Sequence, residues 1–365
     1  VVIPFAAPTR LQGDEAEAVR HAVDAVLSSD RWVLGPSVES FEREFAAYVG
    51  GGHVVGVGNG SDALAITFVA CGLDEGEGIL VPPNDGGFAA QSARAVGLRP
   101  VAYDVDLDTL GPTPESAAAV LDPGVRAIVA THLHGDPLDL SALDAWRLDA
   151  RLVLIEDCAQ AHGAHTGGQH VGRVGDAATF SFYPTKNLGA AGDGGAAVLH
   201  EEAAAQLASS LREYGWQRRY LVEHERGRNS RLDAVQAAVL SARLPHLDER
   251  NSRRRAIARR YADALAGSTG HLHGDLEHGV FHHAVVVDPR RDELSAHLDS
   301  AGVMTAVHYP YLAGEMPGLG LVDGETPVAG RLRDRMLSVP CFPEMSEDEV
   351  STVVEALASW AGRRP

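Results

Sequence analysis

The 365-residue chain contains a single lysine, Lys186; every other side chain among its 31 Lys and Arg residues is arginine. Arginine cannot replace a lysine whose amine must lose its proton and attack a carbonyl. A lysine kept where arginine serves everywhere else is therefore a candidate nucleophile. Cysteine is nearly as scarce. Cys71, Cys158 and Cys341 are scattered without metal-ligand spacing, which speaks against a disulfide framework and points to a reducing, cytoplasmic setting. Positive charge is also short: the formal net charge is −19. That balance excludes the basic footprint of a nucleic-acid binder. It leaves any anionic ligand to local arginines and helix N-termini. Long apolar runs are missing as well. Stretches such as "ALAITFVACGL" fall far short of a membrane span, and the opening "VVIPFAAPTR" lacks the layout of a signal peptide. No internal repeat and no low-complexity tract interrupts the chain.

What is present is an alternation of short apolar runs with helix-length segments. The runs are "HVVGVG" (53–58), "GILVP" (78–82), "RPVAYDVD" (99–106), "RAIVATHL" (126–133), "RLVLIEDC" (151–158), "AATFSFY" (177–183) and "GGAAVLH" (194–200). Strands apolar along nearly their whole length indicate a sheet covered on both faces by crossover helices. The expected class is α/β with a mostly parallel central sheet and flanking helices. From about Arg231 long helices take over, and a smaller C-terminal α/β unit follows. Its expected strands are 281–288, 303–309 and 336–342. Its last helix opens on a capping box, Ser346 with Glu349. The expected division is a large domain over 1–249 and a small one over 250–365.

In open parallel sheets ligands bind beyond the carboxyl ends of the strands, so the residues following each strand are the place to search. After the first run comes "NGSDALAITF", a glycine turn opening a helix. Gly60 and Ser61 offer donors at its positive end, a seat for phosphate as well as an ordinary cap. After the fifth run stands Asp157, an acid at the end of a buried strand. After the sixth come Ser181 and then Lys186. A phosphate seat, a carboxylate and a nucleophilic amine are together what pyridoxal phosphate requires: donors for the phosphate, a Schiff-base lysine and a partner for the ring nitrogen. An opposite charge at close range shifts a pKa by roughly 1–3 units, enough to hold the pyridinium protonated.

The segments "GNGSDAL", "IEDCAQAHGA", "SFYPTKNLGAAGDGGA", "LREYGW", "GRNSRLDAVQAAVL" and "HYP" together resemble the DegT/DnrJ/EryC1/StrS family of sugar aminotransferases, fold-type-I pyridoxal-phosphate enzymes. The resemblance runs in order from "WVLGP" (32–36) to "HYP" (308–310). It implies that Lys186 forms the Schiff base and shuttles the proton, that Asp157 pairs with the ring nitrogen, and that Gln160 lies near the ring hydroxyl. Gly60, Ser61 and Ser181 would hold the phosphate, and Asn229 would reach the phosphate of a neighbouring subunit, making the active unit a homodimer with shared sites. His308 and Tyr309 would line the sugar side. The implied reaction aminates a nucleotide-linked keto-deoxysugar, with glutamate as amino donor. "FYPTKN" leans toward a 4-keto over a 3-keto sugar.

One stretch departs from the family pattern. "VPPNDGGFAAQ" has Gly86 and Gly87 where an aromatic that stacks on the cofactor is expected, leaving Phe88 as the nearest candidate. The histidines of "HLHG" (132–135) and "HLHGDLEHGVFHH" (271–283) suggest metal ligands but match no defined motif, and no metal is expected. "NSRRRAIARR" has the look of a solvated helix face, with a grip on a substrate diphosphate as its alternative. Trp216 is assigned to packing ahead of substrate contact. A pyridoxamine-dependent dehydratase, in which histidine replaces the lysine, conflicts with Lys186. A Rossmann oxidoreductase, prompted by "VVGVGNG", lacks the full glycine fingerprint and its following acid. A non-enzymatic regulator on the same fold is expected to have lost the lysine or the aspartate.

Overall fold

The structure, a computed structural model, describes residues 2–11, 13–321 and 325–362. Seven strands form the main sheet: β1 (His53–Val57), β2 (Gly78–Val81), β3 (Arg99–Ala102), β4 (Val125–Thr131), β5 (Val153–Asp157), β6 (Ala177–Ser181) and β7 (Gly195–Leu199). Their spatial order is β1-β7-β6-β5-β4-β2-β3. The pairs from β6 to β3 are parallel, and β7 alone runs against both its neighbours. All seven coincide with the apolar runs expected from the sequence.

Period-two alternation sends successive side chains to opposite faces. Ile79 and Val81 enter one cluster with Val129, Ile155 and the helix Gly60–Ala70, whereas Leu80 enters another with Ile128 and Leu154. That helix is buried from Ala63 through Ala70, which explains its apolar sequence on every side. Across the sheet the helix Pro36–Tyr48 contributes Phe41 and Phe45, packed edge-on against Phe180 and Phe182.

The C-terminal part holds a three-stranded antiparallel sheet of β8 (His271–His273), β9 (Ala284–Val287) and β10 (Met336–Val339). Against it pack the helices Leu247–Ala264 and Glu347–Ala361, the latter with the expected Ser346–Glu349 capping box. Two expectations change here. Residues 303–309 form no strand. They make isolated bridges, Val303 to Ile3 and Ala306 to Ser338, before the chain turns so that His308 and Tyr309 line a cleft. Conversely, β8 lies at 271–273, outside the three expected strands; antiparallel pairing with β9 overrides its histidine-rich composition. The expected boundary at 249/250 falls inside the helix Leu247–Ala264. The N-terminal Ile3 packs in the same cluster as Ile257, Val303 and Trp360.

Candidate active site

The carboxyl ends of β1, β2, β4, β5 and β6 open onto one cleft of about 490 Å³, closed on its far side by the C-terminal part of the chain. The turn after β1 brings Gly60 and Ser61 to its wall. Asn59 caps the helix by accepting the N–H of Asp62 at 2.8 Å, so the positive end of an eleven-residue helix faces the cleft. Ser181 sits against this turn. A Cβ on Gly60 would lie 2.7 Å from that of Ser181, so only glycine permits the approach.

Lys186 and Asp157 line the same cleft. Burial lowers the Lys186 amine to about 8, while the charge of Asp157 pulls it back up. Asp157 is buried, and burial raises its pKa against the opposing pull of the Ala159 N–H, Lys186 and His132. The Ala159 N–H reaches Oδ1 at 3.0 Å. The Gln160 amide is oriented by two bonds. Its Oε1 accepts the N–H of His134 at 2.7 Å, and its Nε2 donates to the hydroxyl of Tyr309 at 2.9 Å. Burial holds the Tyr309 hydroxyl well above the usual phenol range. His308 lines the cleft beside it, with Nδ1 at 2.9 Å from Ser338 Oγ. Burial and the Lys186 charge lower its imidazole to about 4, so it is neutral near pH 7.

Phe88 also lines the cleft, 45% exposed and edge-on to Tyr309 at 5.9 Å. Gly86 has φ +81°, and a Cβ there would meet the Phe88 and Tyr309 rings at 3.0 and 3.1 Å. A side chain at 86 would therefore displace that pair. Nine of the ten sequence-derived site residues thus gather in this cleft. Asn229 does not. It lies exposed on a strap bridged to Glu213.

Sequence reasoning missed Asp85, His282 and His283 as cleft residues. Asp85 is buried and accepts the N–H groups of Gly87 (2.7 Å) and Ala89 (2.8 Å). Burial, helped by the nearby charge of Asp157, pushes its carboxyl up to about 7 against these bonds. The Asp-Gly-Gly turn a few residues past a buried strand was the available signal. His282 and His283 were grouped with metal-like histidines. In the other suspected cluster Glu156 binds His132 at 2.9 Å and takes the N–H groups of Gly172, Val174 and Gly175, each at 2.7 Å. "NSRRRAIARR" is only partly solvated, since Arg254 is buried. Trp216 lies between Tyr214 and Tyr220, away from the cleft lining.

The residues fit pyridoxal phosphate. An amine with lowered pKa and a buried carboxylate face the same space, beside a helix N-terminus whose glycine admits a serine hydroxyl. Thr131 Oγ1, buried at the cleft, has no partner among the described residues. A large α/β sheet carrying this donor set at its carboxyl edge defines the pyridoxal-phosphate aminotransferase class.

The model of the DegT/DnrJ/EryC1/StrS aminotransferase family matches residues 13–358, and the chain belongs to that family. It is 40% identical over 355 residues to a dTDP-3-amino-3,4,6-trideoxy-alpha-D-glucose transaminase of Micromonospora megalomicea subsp. nigra, covering 94% of each chain. A pleiotropic regulatory protein of Geobacillus stearothermophilus is 37% identical, again with 94% of each covered. Among solved structures, S. venezuelae DesV in complex with a ketimine intermediate superposes with TM-score 0.95 at 37% identity, covering 100% of both chains. The chain is a transaminase, and pyridoxal phosphate is its cofactor. Among the described residues no helix is long and apolar enough to cross a membrane.

Proposed function

We propose that this transaminase aminates C3 of a nucleotide-linked 3-keto-deoxysugar, with glutamate as amino donor, in the cytoplasm. The observation that carries the reading is the meeting of Lys186, Asp157, Ser181 and the Gly60–Ser61 helix start in one cleft. The choice of C3 rests on the dTDP-3-amino-sugar transaminases that the chain resembles at 39% and 40% identity. It replaces the sequence-based lean toward a 4-keto sugar.

When bound, pyridoxal phosphate supplies an electron sink for the carbanion formed at the amino-bearing carbon. In this reading Lys186 Nζ takes the proton from that carbon and returns it, as general base and then acid. Asp157 holds the proton on the ring nitrogen through its charge. Gly60, Ser61 and Ser181 would hold the phosphate, Gln160 would serve the ring hydroxyl, and Phe88 would serve the ring face. His308 and Tyr309 contact the sugar as neutral groups. Asn229 serves the neighbouring protomer's phosphate, in a homodimer whose two sites are shared. A large unit up to residue 249 and a small one from 250 onward flank the cleft.

The test is an assay of the purified protein, with glutamate, against a panel of 3-keto and 4-keto nucleotide sugars. Amino-sugar product from a 3-keto member is expected. Turnover confined to 4-keto members would overturn the regiochemistry, and none with any member would overturn the substrate class.

A further inference from the structure

Phe88, the ring that lines the cleft where Gly86 and Gly87 offer none, follows directly on those two glycines. Both take left-handed backbone, with φ +81° and +80°. Glycine has more conformational freedom to lose than any other residue, so the approach to Phe88 is loose by composition. Phe88 is also the first residue of the helix Phe88–Arg94, and the N-cap position, Gly87, has no side chain with which to cap it. The ring is half-exposed. Nothing in its immediate sequence holds it at a fixed place in the cleft.

Asp85 supplies what the glycines lack. Its carboxylate reaches across both of them: Oδ1 accepts the N–H of Gly87 at 2.7 Å and Oδ2 that of Ala89 at 2.8 Å. The two bonds therefore grip the backbone on either side of Phe88. Asp85 is buried, and the neighbouring charge that acts on it, Asp157, is of its own sign. A buried carboxylate without a cation is costly. A serine or threonine at this position would cap with one oxygen and carry no such cost, whereas a carboxylate presents two acceptors at once. The second bond is what sets the aspartate apart. On the other side of Phe88 the Tyr309 ring meets it edge-on at 5.9 Å, and Tyr309 is itself held by Gln160.

We propose that Asp85 is a positioning residue: its two-oxygen clamp on Gly87 and Ala89 fixes Phe88 where the ring can serve the cofactor face, in place of the aromatic that Gly86 and Gly87 do not provide. The assignment rests on the role given to Phe88 above. Asp85 acts through the backbone and Phe88, and the ring nitrogen is left to Asp157.

The experiment titrates the whole chain, freed of cofactor, with pyridoxamine phosphate, which forms no bond to Lys186. It reads the dissociation constant and the circular dichroism of the bound probe. Phe88→Ala is expected to weaken the probe by about twofold to tenfold, the range for loss of one aromatic contact, and to change its dichroism. Asp85→Ala should do the same with Phe88 still in the sequence. Asp85→Asn, whose amide oxygen can keep one of the two N–H groups, should fall between Asp85→Ala and the wild type, and it carries the comparison if Asp85→Ala does not fold. In a Phe88→Ala background neither change at Asp85 should weaken the probe further. Wild-type affinity and dichroism in the Asp85 variants overturn the clamp. So does an Asp85 effect of undiminished size in the Phe88→Ala background, because the carboxyl would then act on the probe itself. Failure of the Phe88 reading shows separately, as wild-type affinity and dichroism in Phe88→Ala alone.

Discussion

Gln160, in the turn that follows β5, donates its amide to the hydroxyl of Tyr309, 149 residues further along the chain, at 2.9 Å. The bond joins the floor of the cleft to the segment that closes it. Because Oε1 is already held by the His134 N–H, the amide cannot flip without losing both bonds. A single glutamine thereby sets where the Tyr309 ring and its Phe88 neighbour stand.

This coupling is testable by a double-mutant cycle on Gln160→Leu and Tyr309→Phe. Each change should raise the KM for the sugar, and the pair should interact by about 1 kcal/mol, the usual size of one intramolecular hydrogen bond. Strictly additive effects would show that the two side chains act independently.

The lone lysine permits an unambiguous chemical test. Borohydride reduction of the cofactor-loaded protein should attach one phosphopyridoxyl group, on the peptide containing Lys186, and Lys186→Ala should abolish both label and turnover. A label retained elsewhere in the chain, or activity in the variant, would reject the assignment.

Cofactor capture should depend on pH through the same amine. Only the unprotonated amine attacks a carbonyl, so the capture rate of the cofactor-free protein should rise with pH and level off above about 8. Asp157 holds that value up, so Asp157→Asn should move the midpoint lower. An unchanged or higher midpoint would contradict the pairing.

Asp157→Asn should also damage catalysis beyond capture. Loss of roughly 4 kcal/mol of transition-state stabilisation corresponds to about a thousandfold in rate. The half-reaction with amino donor, followed in stopped flow, should fall by that order. A loss below about tenfold would mean that another acid of the cleft, such as the buried Asp85, protonates the ring nitrogen.

Shared sites would reveal themselves by complementation. Lys186→Ala and Asn229→Asp should each be impaired as homodimers, the second because a negative charge beside the phosphate repels it. A mixed dimer has one doubly defective site and one intact site, so co-refolding should restore activity toward half the wild-type value per mixed dimer. Proven subunit exchange with no recovery would confine Asn229 to its own chain.

Glu156 ties His132 to the loop of Gly172, Val174 and Gly175. Burial alone would raise its pKa, but His132 and the Gly172 and Gly175 N–H groups outweigh that and lower it. A depressed folded-state pKa contributes stability above the unfolded value, lost as pH falls through the folded one. Thermal melts should therefore show the wild type losing stability to acid in that window, and Glu156→Ala should cost about 3 kcal/mol or more at neutral pH, because it leaves the Gly172, Val174 and Gly175 N–H groups without their acceptor at about 1–3 kcal/mol each. A change below about 1 kcal/mol would show the loop carries its N–H groups elsewhere.

Local patterning carried much of this protein. Strands buried on both faces are apolar throughout, so all seven strands of the main sheet were legible as runs, and the residues at or just after the ends of β1, β5 and β6 named the Gly60–Ser61 turn, Asp157, Ser181 and Lys186. Those groups lie at or near strand ends, where sequence position and spatial position coincide. What depends on distant pairing was not legible. The segment 303–309 looks like a strand by composition, yet only its bridges to Ile3 and Ser338 decide its path. Histidines 282 and 283 resemble metal ligands in sequence and become a cleft wall only when 281–283 is laid against His134. Arg254 sits in a run of arginines, and the run cannot say which one turns inward. That choice is made by the carbonyl oxygens of Phe281 and Cys341, 27 and 87 residues away, because a buried guanidinium must find its acceptors wherever the folded chain supplies them.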